Sequence, residues 1–138
     1  MEITRRDALT TAILPFLMMA ASKAEAQAPS ANKPVFLHDL PNISMDGWQV
    51  TVSEITVPPG NVGTAHQHPG FVLVYVLEGA VVTKISEQQQ ATYSAGQMFY
   101  EQPGATHEVS RNASATQPAK FLAFIFAKKG LPLTVPVK

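Results

Sequence analysis

The chain has 138 residues, ten basic and ten acidic side chains, and no cysteine. That length suits one domain, and 46% apolar against 14% charged residues excludes a disordered chain. A net charge of zero leaves no electrostatic footprint for nucleic acid, and the lack of cysteine excludes a disulfide framework, a thiolate zinc site and an iron–sulfur cluster.

In chain order, the first segment reads as an address. Arg5-Arg6 precede an uncharged stretch from Ala8 to Ser22. Its 15 residues are short for a membrane span, which needs about 20, and suit the apolar region of a signal peptide. Ala24-Glu25-Ala26 fits a small-x-small cleavage site, so residues 1–26 are expected to be a signal peptide, with no stable membrane insertion after cleavage. An amphipathic helix that stays attached is the alternative. The paired arginines resemble a twin-arginine export signal; that consensus has Phe or Leu two and three places on, where Ala8 and Leu9 stand, and a Lys that is missing here, so ordinary secretion is the other reading. The resemblance implies export of an already folded protein to the periplasm.

Residues 27–34 form a polar leader, expected to be flexible. From residue 35 to 138 the chain is punctuated densely by turn residues, with 11 prolines and eight glycines in the whole sequence. Trp48 to Val57 alternates, with Val50, Val52, Ile55 and Val57 among polar residues. Phe71 to Leu77 is an unbroken apolar run bounded by Pro69-Gly70 and Glu78-Gly79. Its length and β-branched content favour a strand over a helix. Val81 to Ile85, Gln97 to Tyr100 and Phe121 to Ala127 follow, and Glu87 to Gln90 reads as a hairpin tip. Short strands at spacings of about 8–12 residues predict an all-β sandwich or barrel over residues 35–138.

Four histidines stand in the chain: His38, His66, His68 and His107. Residues two apart on a strand share a face, so His66 and His68 can aim at one point inside a barrel. Imidazole is the commonest metal ligand. His38 lies apart from the others and reads as structural or surface.

The spacing around these histidines resembles the two motifs of the cupin superfamily. Gly60, five residues, His66, Gln67, His68 and then Gly79 follow the first. Gly96, Gly104 and His107 follow the second, with 16 residues between Gly79 and Gly96. The resemblance runs from about Val35 to Pro132. It implies an all-β jelly-roll barrel (a double-stranded β-helix) with a divalent metal held by His66, His68 and His107. Val72 stands where the motif has a glutamate ligand. Gln102 stands at the proline position with Pro103 beside it, and Arg111 at the closing asparagine position with Asn112 beside it.

Strand parity from His66 and His68 puts Val72 on their face, where it cannot ligate. Three neutral ligands then leave open positions, the pattern of a catalytic site, and an uncompensated charge that an anionic or chelating small molecule could meet. Glu101, six residues before His107 at the end of the Met98-Phe99-Tyr100 run, is the remaining acid to watch. Cupins that cleave β-diketones with iron and dioxygen carry a comparable glutamate just beyond the ligands. By that likeness Glu101 orients a bound water or acts as a catalytic base. A strand-end surface glutamate, or a replacement for the missing ligand, are its other readings. Glu108 is expected at the surface.

Three imidazoles suit Fe, Zn, Ni or Cu better than Mn. The expected function is therefore a metal-binding periplasmic protein, acting as a dioxygenase or isomerase on a small oxygenated carbon compound. The alternatives are a non-catalytic barrel that binds a metal or small ligand, and a metal-free sugar-processing barrel that would need a His-Tyr or Lys arrangement in its cavity, with Lys84 and Lys120 the lysine candidates. A barrel this small leaves apolar sheet surface to cover, so a homodimer is expected.

Overall fold

The computed structural model describes residues 30–137; the expected signal peptide, residues 1–26, lies outside them. Among the described residues nine strands form, in the order β1 (Trp48–Val57), β2 (His66–Gln67), β3 (Phe71–Glu78), β4 (Ala80–Ile85), β5 (Ala91–Ser94), β6 (Met98–Glu101), β7 (Thr106–Asn112), β8 (Ala119–Lys128) and β9 (Val135–Pro136). No helix forms among the described residues. The fold is all-β, as the alternating and apolar runs require.

The strands make two antiparallel sheets, ordered β1-β8-β3-β6 and β5-β4-β7-β2-β9. Side-chain parity divides each strand between the space enclosed by the sheets and the outside. On β3, Val72, Val74 and Val76 point inward and are almost fully buried. They meet Ala123 and Ile125 of β8, Phe99 of β6, and Val81 and Ile85 of β4 in a single core cluster. The odd-numbered residues of β3 face the other way. Phe71 is nonetheless fully buried, because Phe126 stacks on it at 4.6 Å and Trp48 and Tyr100 each approach to 6.0 Å. The outer face of this sheet thus has its own aromatic cluster. His38 joins its rim, 4.1 Å from the Tyr100 ring.

Two glycines are fixed by close approach. At Gly70 a Cβ would lie 1.8 Å from the Phe126 carbonyl oxygen. Gly79, at φ +67°, turns β3 into β4 with the Pro118 carbonyl 2.8 Å from where a Cβ would be.

One irregularity matters for the site. Lys84 pairs with Val109, but Ile85 pairs with His107. Glu108 is therefore an extra residue in β7, a β-bulge that reverses parity after His107. His107 points inward, and beyond the bulge so do Ser110 and Asn112 rather than Val109 and Arg111. This accounts for the asparagine arriving one position late relative to the motif. Asn112 is 3% exposed. Its side-chain nitrogen donates to the carbonyls of Val57, Pro58 and Gln117, and its oxygen accepts from the Ser114 N–H. It clips the end of β1 to the β7–β8 connection.

Candidate functional site

The sheets enclose a cavity of about 400 Å³. His66, His68, His107, Glu101, Val72 and Thr83 all line it. His66 and His107 sit directly opposite each other on β2 and β7, and His68 follows β2 by one residue. The histidines thus come from neighbouring strands of one sheet, not from facing strands. Their rings lie 5.0 Å (His66–His68) and 5.1 Å (His66–His107) apart by centroid.

Backbone carbonyls orient two of the rings. His66 Nδ1 donates to Thr64 O at 2.8 Å and His68 Nδ1 to Leu133 O at 2.7 Å. A carbonyl can only accept, so the proton of each neutral ring sits on Nδ1 and the Nε2 lone pair is free. The anchor for His68 comes from the C-terminal segment before β9, 65 residues away in sequence. Burial holds the His68 pKa below the usual histidine range, opposed in part by the Glu101 carboxylate. That keeps the ring neutral and its lone pair available.

Glu101 enters from the other sheet. It is the last residue of β6, 3% exposed, and this corrects the reading of it as a strand-end surface glutamate. Its cross-strand partner is Val72, the residue at the glutamate position of the motif. Oε1 lies 3.3 Å from His107 Nδ1 and Oε2 lies 3.7 Å from His68 Nε2. Oε2 is buried and has no hydrogen-bond partner. Burying such an atom unpaired is costly, so this oxygen lacks a cation or donor.

The donor set, three imidazoles and a carboxylate, is that of a divalent-ion site. Imidazoles bound to one ion at about 2.0–2.1 Å have ring centroids roughly 5 Å apart, which matches the two separations above. As the side chains stand, however, no group of three or more His, Asp or Glu among the described residues is arranged to hold a metal ion. His107 shows what would have to change. Its Nε2 shares a 2.6 Å hydrogen bond with Thr83 Oγ1, and its Nδ1 faces Glu101. Ligation by His107 requires it to exchange one of these two partners.

The remaining candidates fall outside the cavity. Glu108, the bulge residue, is exposed and pairs with Lys84. Lys120 pairs with Glu78 at 3.0 Å. Neither lysine lines the cavity, so the lysine arrangement of a metal-free sugar-processing barrel has no candidate there. His38 is exposed. Thr83, Thr64 and Leu133 went unnoticed in the sequence. The last two act through backbone carbonyls, which carry no sequence signal, and Thr83 reaches His107 only through the β4–β7 pairing.

Residues 53–125 match the model of the cupin domain. The chain belongs to that family. No curated protein matches it. Solved structures share the fold at low identity. Oxalate decarboxylase from Lactobacillus farciminis, in a formate complex, aligns with a TM-score of 0.54 and 17% identity over 64% of this chain and 26% of its own. DMSP lyase DddQ from Ruegeria pomeroyi DSS-3 gives 0.55 and 17% over 63% of this chain and 42% of its own. An uncharacterized protein with a double-stranded β-helix domain from Klebsiella pneumoniae gives 0.54 and 19% over 64% and 75%. The chain spans about a quarter of the oxalate decarboxylase chains it matches.

Proposed function

We propose that this protein is a metal-dependent cupin enzyme whose cavity binds a divalent ion through His66, His68 and His107. In this reading Glu101 takes a proton from a small oxygenated carbon substrate, in a dioxygenase or isomerase reaction. The observation that carries the reading is the buried, unpartnered Glu101 Oε2 beside a histidine whose Nδ1 is tied to a backbone carbonyl. A structural core has no use for that atom, whereas an active site needs a base in reach of its substrate.

The chain's own groups divide the work. Thr64 O and Leu133 O hold His66 and His68 with their Nε2 lone pairs turned to the cavity. Thr83 holds His107. Val72, Val74 and Val81 line the cavity beside them, and such apolar walls screen charge interactions less than water does. A bound ion would supply Lewis acidity and, if it is iron, access to dioxygen chemistry. With His66, His68 and His107 alone as ligands, Fe, Zn, Ni and Cu are favoured over Mn.

The test is turnover by the metal-loaded protein with small ketones, keto acids and phenols, following oxygen uptake and product formation. Glu101→Gln should remove turnover while metal content stays. Stoichiometric ligand binding without reaction, under every ion, would instead make the chain a non-catalytic binding protein. The same reading keeps the periplasm as the site of action, on the strength of the Arg5-Arg6 segment. It also keeps a homodimer: β1 is a sheet edge and leaves Val50 and Val52 about half exposed, an apolar edge that a second copy could cover.

A further inference from the structure

Each histidine of the cavity has one ring nitrogen held by the protein, and the held nitrogen is not the same in all three. His66 and His68 are held at Nδ1, by Thr64 O at 2.8 Å and Leu133 O at 2.7 Å. His107 is held at Nε2, by Thr83 Oγ1 at 2.6 Å. Thr83 is 3% exposed and stands on β4 between Val81 and Ile85, both buried in the core. The bulge at Glu108 sets Ile85 opposite His107 and Thr83 opposite Ser110, which brings the Thr83 hydroxyl within reach of the far nitrogen of the His107 ring. The nitrogens left over are Nε2 of His66, Nε2 of His68 and Nδ1 of His107. Two of these face one carboxylate: Glu101 Oε1 lies 3.3 Å from His107 Nδ1, and Oε2 lies 3.7 Å from His68 Nε2. Oε2 is the buried oxygen without a partner.

We infer that His107 binds the ion through Nδ1, unlike His66 and His68, and that Thr83 is the positioning residue that holds the other side of its ring. This rests on the proposed function for the ion itself; the binding atom of His107 and the role of Thr83 are new. A ligating imidazole donates its other N–H to an oxygen acceptor. Thr64 O and Leu133 O are those acceptors for His66 and His68, and Thr83 Oγ1 is the acceptor for His107. Ligation through Nε2 would break the Thr83 bond and leave a buried hydroxyl without its partner, which is costly. An ion on the Nδ1 side leaves that bond in place and brings a cation to Oε2. A hydroxyl suits the position because it can donate or accept. Without an ion, the carboxylate beside Nδ1 only accepts, so the proton of the neutral ring sits on Nδ1 and Thr83 donates to Nε2. With the ion on Nδ1, the proton sits on Nε2 and Thr83 accepts it. The ring is neutral in both states; the tautomer changes and the hydroxyl rotates.

The experiment uses the full-length protein with Zn as the probe. Zn affinity is measured by competition with a chelator for the unaltered chain, Thr83→Val and Thr83→Ser. Thr83→Val keeps the shape and loses the acceptor, so affinity should fall by about 10–100-fold, the usual cost of removing such a partner. Thr83→Ser, which restores the hydroxyl, should stay within about threefold of the unaltered chain. Nitrogen-15 spectra of the His107 ring need no substitution. They should show the proton on Nδ1 before Zn is added, and afterwards Zn on Nδ1 with the proton on Nε2. Equal or tighter Zn binding by Thr83→Val would overturn the inference, as would Thr83→Ser as weak as Thr83→Val, or a spectrum with Zn on Nε2. Each of these leaves the metal-dependent reading standing. An unaltered chain that takes up no Zn would overturn the inference and count against the metal-dependent reading as well.

Discussion

Val72 and Glu101 are cross-strand partners, both buried and both facing the cavity. The cupin motif has its carboxylate at the Val72 position on β3. Here the one carboxylate of the cavity is on β6, on the same rung.

That pairing predicts an asymmetry between single and double substitutions. Val72→Glu puts a second acid beside Glu101 and should destabilise the metal-free protein by at least about 3 kcal/mol, since neither charge has a cation. Combining it with Glu101→Val restores one acid on the rung and should recover most of the loss. Denaturant unfolding of the four proteins measures the coupling. Additive effects would mean that the two side chains do not share a site.

Asn112 holds three carbonyls from two segments. Asn112→Ala leaves those buried acceptors short of a donor and should cost about 2–4 kcal/mol. Asn112→Asp should be nearly as damaging, because a carboxylate cannot donate to carbonyls. Thermal unfolding of both variants checks this.

Gly70→Ala is expected to be among the most harmful small substitutions in the barrel. The new methyl would lie 1.8 Å from Phe126 O and 2.8 Å from the Trp48 ring, so backbone must move. A loss of about 2–4 kcal/mol is the scale of such overpacking with backbone strain, and Gly96→Ala, where φ is +85° and a Cβ meets nothing within 4 Å, gives for comparison the cost of left-handed backbone strain without a clash.

Much of the fold was legible because its signals are local. The alternation from Trp48 to Val57 and the apolar run after Gly70 matched the extents of β1 and β3, although of the alternating apolar residues on β1 only Ile55 and Val57 turn inward while Val50 and Val52 lie half exposed on the other face. The hairpin tip at Glu87 to Gln90 was marked by its polarity. The short strands β2, β5, β7 and β9 were not delimited in advance, because two to seven residues carry little periodicity. The bulge at Glu108 was invisible for a different reason. It shows only as a slip in pairing with β4, and it turned Arg111 outward and Asn112 inward. In the site, the spacing of His66 and His68 and the second motif singled out three histidines that the fold does bring together. Glu101 could be noticed but not placed, because burial at a strand end depends on what lies opposite.

His68 gives the metal-free protein a pH dependence. Its pKa is lowered by burial, so the unfolded chain binds its proton more readily than the folded one. Stability from this residue is complete above the unfolded value, about 6.5, and falls as pH drops below it toward the folded value. In urea at fixed temperature the unfolding midpoint should decline below that pH. His68→Asn should flatten the decline; an unchanged slope would assign it to other groups.

The central claim is that the three histidines act together on one ion. Elemental analysis of protein reconstituted with Fe, Zn, Ni or Cu and then desalted tests this directly. One ion per chain is expected for the unaltered protein, with stoichiometric binding lost in His68→Ala and in His107→Ala. Protein that retains no ion, or a His107→Ala variant that keeps a full complement, would contradict the account.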